Sequence, residues 1–291
     1  MLHLDGHEIS QQYLHRIMLG SVAPRPIAFA STIDLNGNPN LSPFSFFNAF
    51  GVNPGTLIFS PSRRGRDNTT KHTFQNLKEL PEVVINVVNY EMVQQMSLAS
   101  CEYPKGVNEF IKAGFTPIPS EIVKPFRVKE SPVQFECKVR QIIETGDGPG
   151  AGNLVICDIL MVHLAEEILT DQGEIDQDKI DLVGRLGGDF YVRTNQAARF
   201  LVPKPVAKTG IGIDALPDKI KHNHALSGND LGQLGNLEKF PLEADILIFK
   251  KDPSLKKRYK ENSELLYIDA KRKLEEGYPF DALSLLLSQL S

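Results

Sequence analysis

The chain has 291 residues, 41% of them hydrophobic and 23% charged, with a formal net charge of −4; this is ordinary globular usage, long enough for one large core and a smaller appendage. The acidic balance argues against nucleic acid as the main partner. No apolar run long enough for a membrane span occurs, and the opening MLHLDGHEIS lacks the basic-then-apolar pattern of a secretion signal.

Three cysteines, Cys101, Cys137 and Cys157, form no C-x-x-C pair, so a reducing, cytoplasmic setting is expected. In chain order, PIAFASTI (26–33) predicts a strand, and Asn36-Gly37 a tight hairpin into the next one. That next strand is LSPFSFFNAF (41–50), bulged or kinked at Pro43 because proline removes a ladder donor. TLIFSPS (56–62) and EVVINVVNY (82–90) predict further strands. Between them, Phe74, Leu77 and Leu80 share one face of a helix.

VQFECKV (133–139) alternates, with Val133, Phe135, Cys137 and Val139 on one side, and NLVICDILMVHL (153–164) is apolar on both faces, as in a central strand. Strands and helices do not alternate strictly, so an antiparallel barrel is expected rather than a doubly wound parallel sheet. Beyond about residue 205 the pattern changes. Tyr259, Leu266, Ala270 and Leu274 predict a helix over 252–277, ended by Gly277 and Pro279. Phe280, Leu283, Leu287 and Leu290 then make one stripe of a last helix. HALSGNDLGQLGN (224–236) is expected to be ordered only by packing. The helical stripe must cover an apolar surface: the chain's own barrel, a dimer mate or another protein.

The segment SPSRRGRDNTTKHT (60–73) gathers Ser60, Ser62, Arg63, Arg64, Arg66, Thr69, Thr70, Lys71 and Thr73 over one loop and a first helical turn. Asp67, Asn68 or Thr69 is its N-cap. A helix N-terminus with Arg and Lys donors suits phosphate; a solvated basic loop with an ordinary cap fits the same residues. The stretch before it weighs toward phosphate. Extended, it places Ser42, Phe44 and Phe46 on one face and Pro43, Ser45 and Phe47 on the other. Hydroxyls among phenylalanines suit a flat heteroaromatic ring, with apolar contact on its face and donors at its rim. A bulged strand that satisfies its own backbone is the alternative. Ring and phosphate sites side by side point to a phosphorylated aromatic cofactor, FMN first.

Other motifs carry less. Gly146-Asp147-Gly148-Pro149-Gly150-Ala151 fits a dinucleotide fingerprint formally, yet a strand follows it, not a helix, so it reads as a hairpin loop. Cys137 and Cys157 read as core and His163 as a structural histidine. His222 and His224 lack further ligands for a metal. Cys101 and Tyr103 could belong to a loop over the cofactor.

PRPIAFASTID, GNPNLSPFSFFNAF and NPGTLIFSPSRR, with EYPKGVNEFIKAGFTPIPSEIVKPFRVKESPVQFEC and VGRLGGDFYVRT, together resemble the flavin reductase-like, FMN-binding split-barrel family, in particular its flavoredoxin-like branch. The resemblance runs in order over residues 10–205. It implies a mainly β fold, a six-stranded antiparallel split barrel over 1–205, with a helical extension over 206–291. It implies a homodimer with FMN at the subunit interface. Ser42, Pro43, Phe44, Ser45 and Asn48 would line the ring, while Ser60, Ser62, Arg63, Lys71 and Thr73 would hold the phosphate, with the hydroxyl left open among Thr69, Thr70 and Thr73. Arg25 and Arg185 would approach from neighbouring loops. The implied activity is NAD(P)H-dependent flavin reduction, with NADH or NADPH passing hydride to flavin N5 and no side chain needed as acid or base. A flavoredoxin-like electron-transfer protein or a flavin carrier is the alternative, FAD is a less favoured cofactor than FMN, and a pyridoxine-phosphate oxidase-like enzyme is a rival on the same architecture. The electron acceptor is left open.

Overall fold

The computed structural model describes residues 1–205 and 208–290, in two compact units, Met1–Phe200 and Leu201–Ser291. The expected boundary at 205/206 adjoins Val206 and Ala207, which lie outside the described residues. The first unit opens with α1 (Gln11–Ser21), followed by β1 (Ala28–Ile33), β2 (Pro39–Phe44), β3 (Phe47–Val52) and β4 (Gly55–Phe59). Then come α2 (His72–Glu79), β5 (Glu82–Val87), α3 (Val93–Leu98) and α4 (Glu109–Ala113). The short strands β6 (Pro117–Ile118) and β7 (Arg127–Val128) pair with each other ahead of the long hairpin of β8 (Val133–Glu144) and β9 (Asn153–Leu164). A last small hairpin joins β10 (Val183–Arg185) to β11 (Tyr191–Arg193).

The main sheet is antiparallel and seven-stranded, in the order β2-β1-β5-β8-β9-β4-β3. Its two edge strands, β2 and β3, are consecutive in the chain and joined only by Ser45 and Phe46. A link that short reaches only a few ångströms, so the sheet must curl until its edges nearly meet. They do not pair, and the result is a barrel split between β2 and β3. The expected count of six strands is thus corrected to seven. The stretch 41–50, expected as one strand bulged or kinked at Pro43, keeps its register through Pro43, which pairs with Phe29, and bends instead at Ser45–Phe46 to serve both edges. The bend also resets the alternation, since Phe44 and Phe47, three residues apart, both pack into the barrel interior.

That interior is filled by Ala28, Ala30, Phe44, Leu57, Phe59, Val83, Ile85, Cys137, Val155 and Cys157. β1 is buried on both faces: its alternate residue Phe29 joins Leu41, Met92, Met96, Phe110 and Phe115 in a second core with α3 and α4. The β1–β2 hairpin forms, but not as a two-residue turn. Ile33 pairs with Pro39, and the Asp34 carboxylate accepts from the amides of Asn36 and Asn38 and from Asn38 Nδ2, each at 2.9 Å. In that loop only Gly37 takes a positive φ, at 83°. The glycine-rich 146–151 segment lies in the β8–β9 hairpin, where Glu144 pairs with Asn153.

The second unit is helical: α5 (Asp218–Lys221), α6 (Gly228–Gly235), α7 (Glu243–Lys250), α8 (Pro253–Glu261), α9 (Glu264–Glu275) and α10 (Pro279–Ser288). The single helix expected over 252–277 is two, because the chain breaks at Asn262, whose side chain accepts from the Glu264 amide at 2.9 Å. Tyr259, Leu266, Ala270 and Leu274 nevertheless share one core with Leu283, Leu285 and Leu286. α10 is therefore buried more widely than a single stripe. Residues 224–236, expected to be ordered only by packing, contain α6, which has a local cap of its own. Ser227 and Asp230 form a capping box that outweighs the glycines. Glycine matters here for close approach: a Cβ on Gly210 would lie 2.5 Å from the Gly235 carbonyl oxygen.

Candidate functional site

At the split, a cleft of about 360 Å³ is lined by Pro43, Phe44, Ser45, Phe46, Ser60, Ser62, Arg63, Arg64, Gly65, Arg66, Lys71 and Glu102. It lies within the range of about 300–1,000 Å³ usual for small-molecule sites. One wall is the β2–β3 bend, tied to the end of β4 by a 2.9 Å bond from the Ser60 amide to the Phe46 carbonyl. Phe46 is exposed there, whereas Phe44 is only 8% exposed and stacks at a tilt on Phe59, centroids 5.5 Å apart. Phe44 is thus mainly core, and Phe46 is the aromatic free to meet a ligand.

The other wall is the loop after β4. Ser60 and Ser62 hydroxyls are 3.2 Å apart, and the Asn153 amide donates to Ser60 Oγ at 3.0 Å. Asn153 Nδ2 also holds the Pro61 carbonyl at 2.9 Å, and the Arg63 amide donates to Ala151. The β8–β9 hairpin therefore pins the loop. Asn68 is the pivot. It adopts a left-handed φ of 59°, accepts Arg63 Nε on its side chain at 2.7 Å and Arg63 Nη2 on its carbonyl at 2.9 Å, and donates to the Asp147 carbonyl.

The expected helix cap is corrected. α2 begins at His72 with Lys71 in the cap position and no side-chain cap bond. Asp67 instead closes the loop by accepting from the Thr69 hydroxyl at 2.6 Å and amide at 3.0 Å. The Thr69 hydroxyl and amide hold its carboxyl down at about 2.

Charge in the cleft is lopsided. Arg64 is fixed by Thr69 Oγ1 at 2.9 Å and the Thr70 carbonyl at 2.8 Å. Its Nε donates to Glu102 at 3.1 Å, and Arg66 donates to Glu102 at 2.6 Å. Lys71 is half-buried, and among the described residues no hydrogen bond or ion pair engages its ammonium group. Burial, then the Arg64 charge, lowers its pKa. A half-buried cation with no direct carboxylate contact among the described residues, near paired serine hydroxyls and a guanidinium, is chemically suited to an anion.

Of the residues singled out from the sequence, the fold brings Pro43, Phe44, Ser45, Ser60, Ser62, Arg63 and Lys71 to this one cleft. Ser42 is half-buried in β2, and Asn48 is exposed on β3, its side chain accepting from the Ala49 amide. Thr69 belongs to the Asp67 turn. Thr73 is buried behind the loop, where it accepts from Asn40 Nδ2 at 2.9 Å. Arg25 and Arg185 bridge each other through their backbones, away from the cleft lining. The Arg25 guanidinium caps the end of α1 by donating to the Leu19 and Val22 carbonyls at 2.7 Å, and it reaches Leu186 at 2.9 Å. Arg185 donates to the Tyr191 hydroxyl and the Gly188 carbonyl. Sequence reasoning missed Glu102, Asn68 as pivot and Asn153 as anchor. Only Asn68, with its tolerance of positive φ, left a local signal.

Comparison with known proteins agrees with this architecture. A family model for the flavin reductase like domain matches residues 19–177. An uncharacterized protein of Aquifex aeolicus is 39% identical over 180 residues, 62% of this chain and 89% of its own. Nitrilotriacetate monooxygenase component B from Bacillus cereus is 28% identical with a TM-score of 0.65, covering 69% of this chain and 98% of that one. The 2-nitrobenzoate 2-nitroreductase NbaA of Pseudomonas fluorescens is 27% identical with a TM-score of 0.61, covering 72% and 100%. The mainly β, split-barrel-like fold is that of solved flavin reductase structures. A family match over more than half of the chain, on a sheet split where its cationic cleft lies, has one consequence: the chain belongs to the flavin reductase like family.

Proposed function

We propose that the protein binds FMN without covalent attachment in the cleft at the split and acts as an NAD(P)H-dependent flavin oxidoreductase. The observation that carries this reading is Lys71, half-buried and unpaired among the described residues, beside Ser60, Ser62 and Arg63. These four groups suit the ribityl phosphate: two hydroxyl donors, one guanidinium and one ammonium on a hairpin-anchored loop. Pro43, Ser45 and Phe46, on the other wall, offer an apolar contact and a rim donor to the ring. Thr69 and Thr73 keep an indirect part in this reading, through the Arg64 and Asn40 bonds that shape the loop, while Ser42, Asn48, Arg25 and Arg185 are proposed as flavin contacts from beyond this lining. When bound, the flavin supplies the redox chemistry, and the chain supplies placement, charge and exclusion of water.

The solved relatives favour reductive flavin chemistry but differ in acceptor, one being a monooxygenase component and the other a nitroreductase. FMN is preferred to FAD because, among the described residues, the cleft offers one compact cluster of phosphate donors, Ser60, Ser62, Arg63 and Lys71. A homodimer in a cytoplasmic setting belongs to the same proposal.

The test is a visible spectrum of the purified protein before and after NADH or NADPH is added without oxygen. Bound flavin that bleaches rapidly with one donor is the expected result. Bound flavin that resists both donors would favour an electron-transfer or carrier role over reductase turnover. The double substitution Arg63→Ala/Lys71→Ala should weaken FMN binding at least tenfold, on the order of 1.4 kcal/mol or more; unchanged affinity would sink the phosphate assignment.

A further inference from the structure

Among the described residues, Glu102 is the only carboxylate on the lining of the cleft. It sits on the irregular segment between α3 and α4, and each of its oxygens engages a different arginine of the loop. Oε1 accepts from Arg64 at 3.1 Å and Oε2 from Arg66 at 2.6 Å. Arg64 does not depend on Glu102 for its place, and Arg66 has a second carboxylate partner. Arg64 is already held by Thr69 and Thr70, and Arg66 also pairs with its neighbour Asp67 at 3.3 Å. What Glu102 adds is therefore charge. It covers two guanidinium forks with an internal anion and, among the described residues, makes no direct contact with Lys71, which feels its charge only at a distance. A phosphate monoester held by Ser60, Ser62, Arg63 and Lys71 is a dianion with three acceptor oxygens, and Arg64 and Arg66 line the same cleft, so it competes with Glu102 for their N–H donors. Glu102 can withdraw by rotating its side chain, which is 41% exposed, without breaking the turn bonds of Cys101 and Tyr103 on either side of it.

We propose that Glu102 is a tethered competitor for the anion site, displaced from Arg64 and Arg66 when a flavin phosphate enters. Competition of this kind lowers phosphate affinity and speeds release, so the flavin is held exchangeably and can serve as a diffusible carrier. The inference rests on the reading that FMN occupies this cleft.

The experiment measures dissociation constants and release rates of FMN and of riboflavin, which lacks the phosphate, for wild type and Glu102→Gln. Removing the competing charge should tighten FMN by about three- to tenfold, the scale of a partly exposed ion pair, and slow its release, with riboflavin unchanged. In an Arg66→Gln background the gain from Glu102→Gln should shrink, because one contested donor is gone; a loosened fold would not produce that pattern. FMN affinity that is unchanged or weaker in Glu102→Gln overturns the inference and leaves the proposed function standing. Equal tightening of FMN and riboflavin also overturns it, since the effect would not act through the phosphate. If wild type binds neither flavin, the proposed function fails and this inference falls with it.

Discussion

Single residues in this protein carry their charge by local hydrogen bonding, and Glu136 shows how far that can go. It is fully buried on β8, yet its carboxylate accepts from the amides of Glu121, Ile122 and Val123 at 2.7–3.0 Å and meets His163 Nε2 at 2.7 Å. Burial pushes its pKa up, but the three amides and His163 outweigh burial and hold it at about 2, against an ordinary value of 4.5. The folded pKa lies below the unfolded one. The stabilisation is therefore present above pH 4.5 and lost as pH falls from there toward 2, with a size on the order of 3 kcal/mol. Urea midpoints measured across that window should fall steeply in wild type and much less in Glu136→Gln, which keeps the volume but not the charge. Parallel curves would exclude Glu136 as the source. Cys137 shows the opposite balance: burial, with Asp158 and Glu136 nearby, pushes its thiol up to about 12, in keeping with a core role.

At the scale of elements, caps and turns decide what composition leaves open. α6 forms from GNDLGQLG, a sequence with three glycines that disfavours helix. The Ser227 hydroxyl accepts from the Asp230 amide at 3.2 Å, and the Asp230 carboxylate accepts from the Ser227 amide at 2.7 Å. Replacing Ser227 by Ala should cost about 1 kcal/mol. Amide exchange measured on the intact chain should rise over residues 227–235 and stay constant in β8 and β9; no change at α6 would show that packing alone holds it. The S-x-x-D spacing at Ser227 and Asp230 was legible in the sequence, since it spans only four residues. The β1–β2 hairpin was legible from Asn36-Gly37, but the five-residue loop was not, because Asp34 closes it through side-chain bonds that no turn propensity encodes.

For the whole molecule, exposed apolar residues occur along the chain, and one group of them shares the main sheet. Leu160, Val162 and Leu164 stand on one face of β9, and Phe50 and Val52 lie at the end of β3, two strands away in the same sheet. An apolar face of this kind fits the homodimer proposed above. Leu160→Asp with Val162→Asp should shift the mass in solution from dimer to monomer and release flavin if the partner completes the site. A monomeric variant that keeps its flavin tightly would separate dimerisation from binding, and an unchanged dimer would place the interface elsewhere.

What the sequence by itself determined is what local chemistry can specify: the alternating strands 133–139 and 153–164, the cationic loop at 60–73, and the change to helix beyond residue 205. Alternation, turn residues and charge runs act within a few residues and are readable there. The tertiary structure alone decided that 41–50 must bend at Ser45–Phe46 to serve both edges of one sheet. It alone decided that Thr73 turns inward to Asn40 while Lys71 faces the cleft. It also brought Glu102, 36 residues beyond Arg66, onto the two arginines. Those outcomes depend on closing a barrel, a condition set by strands far apart in the chain, which no short window of residues contains.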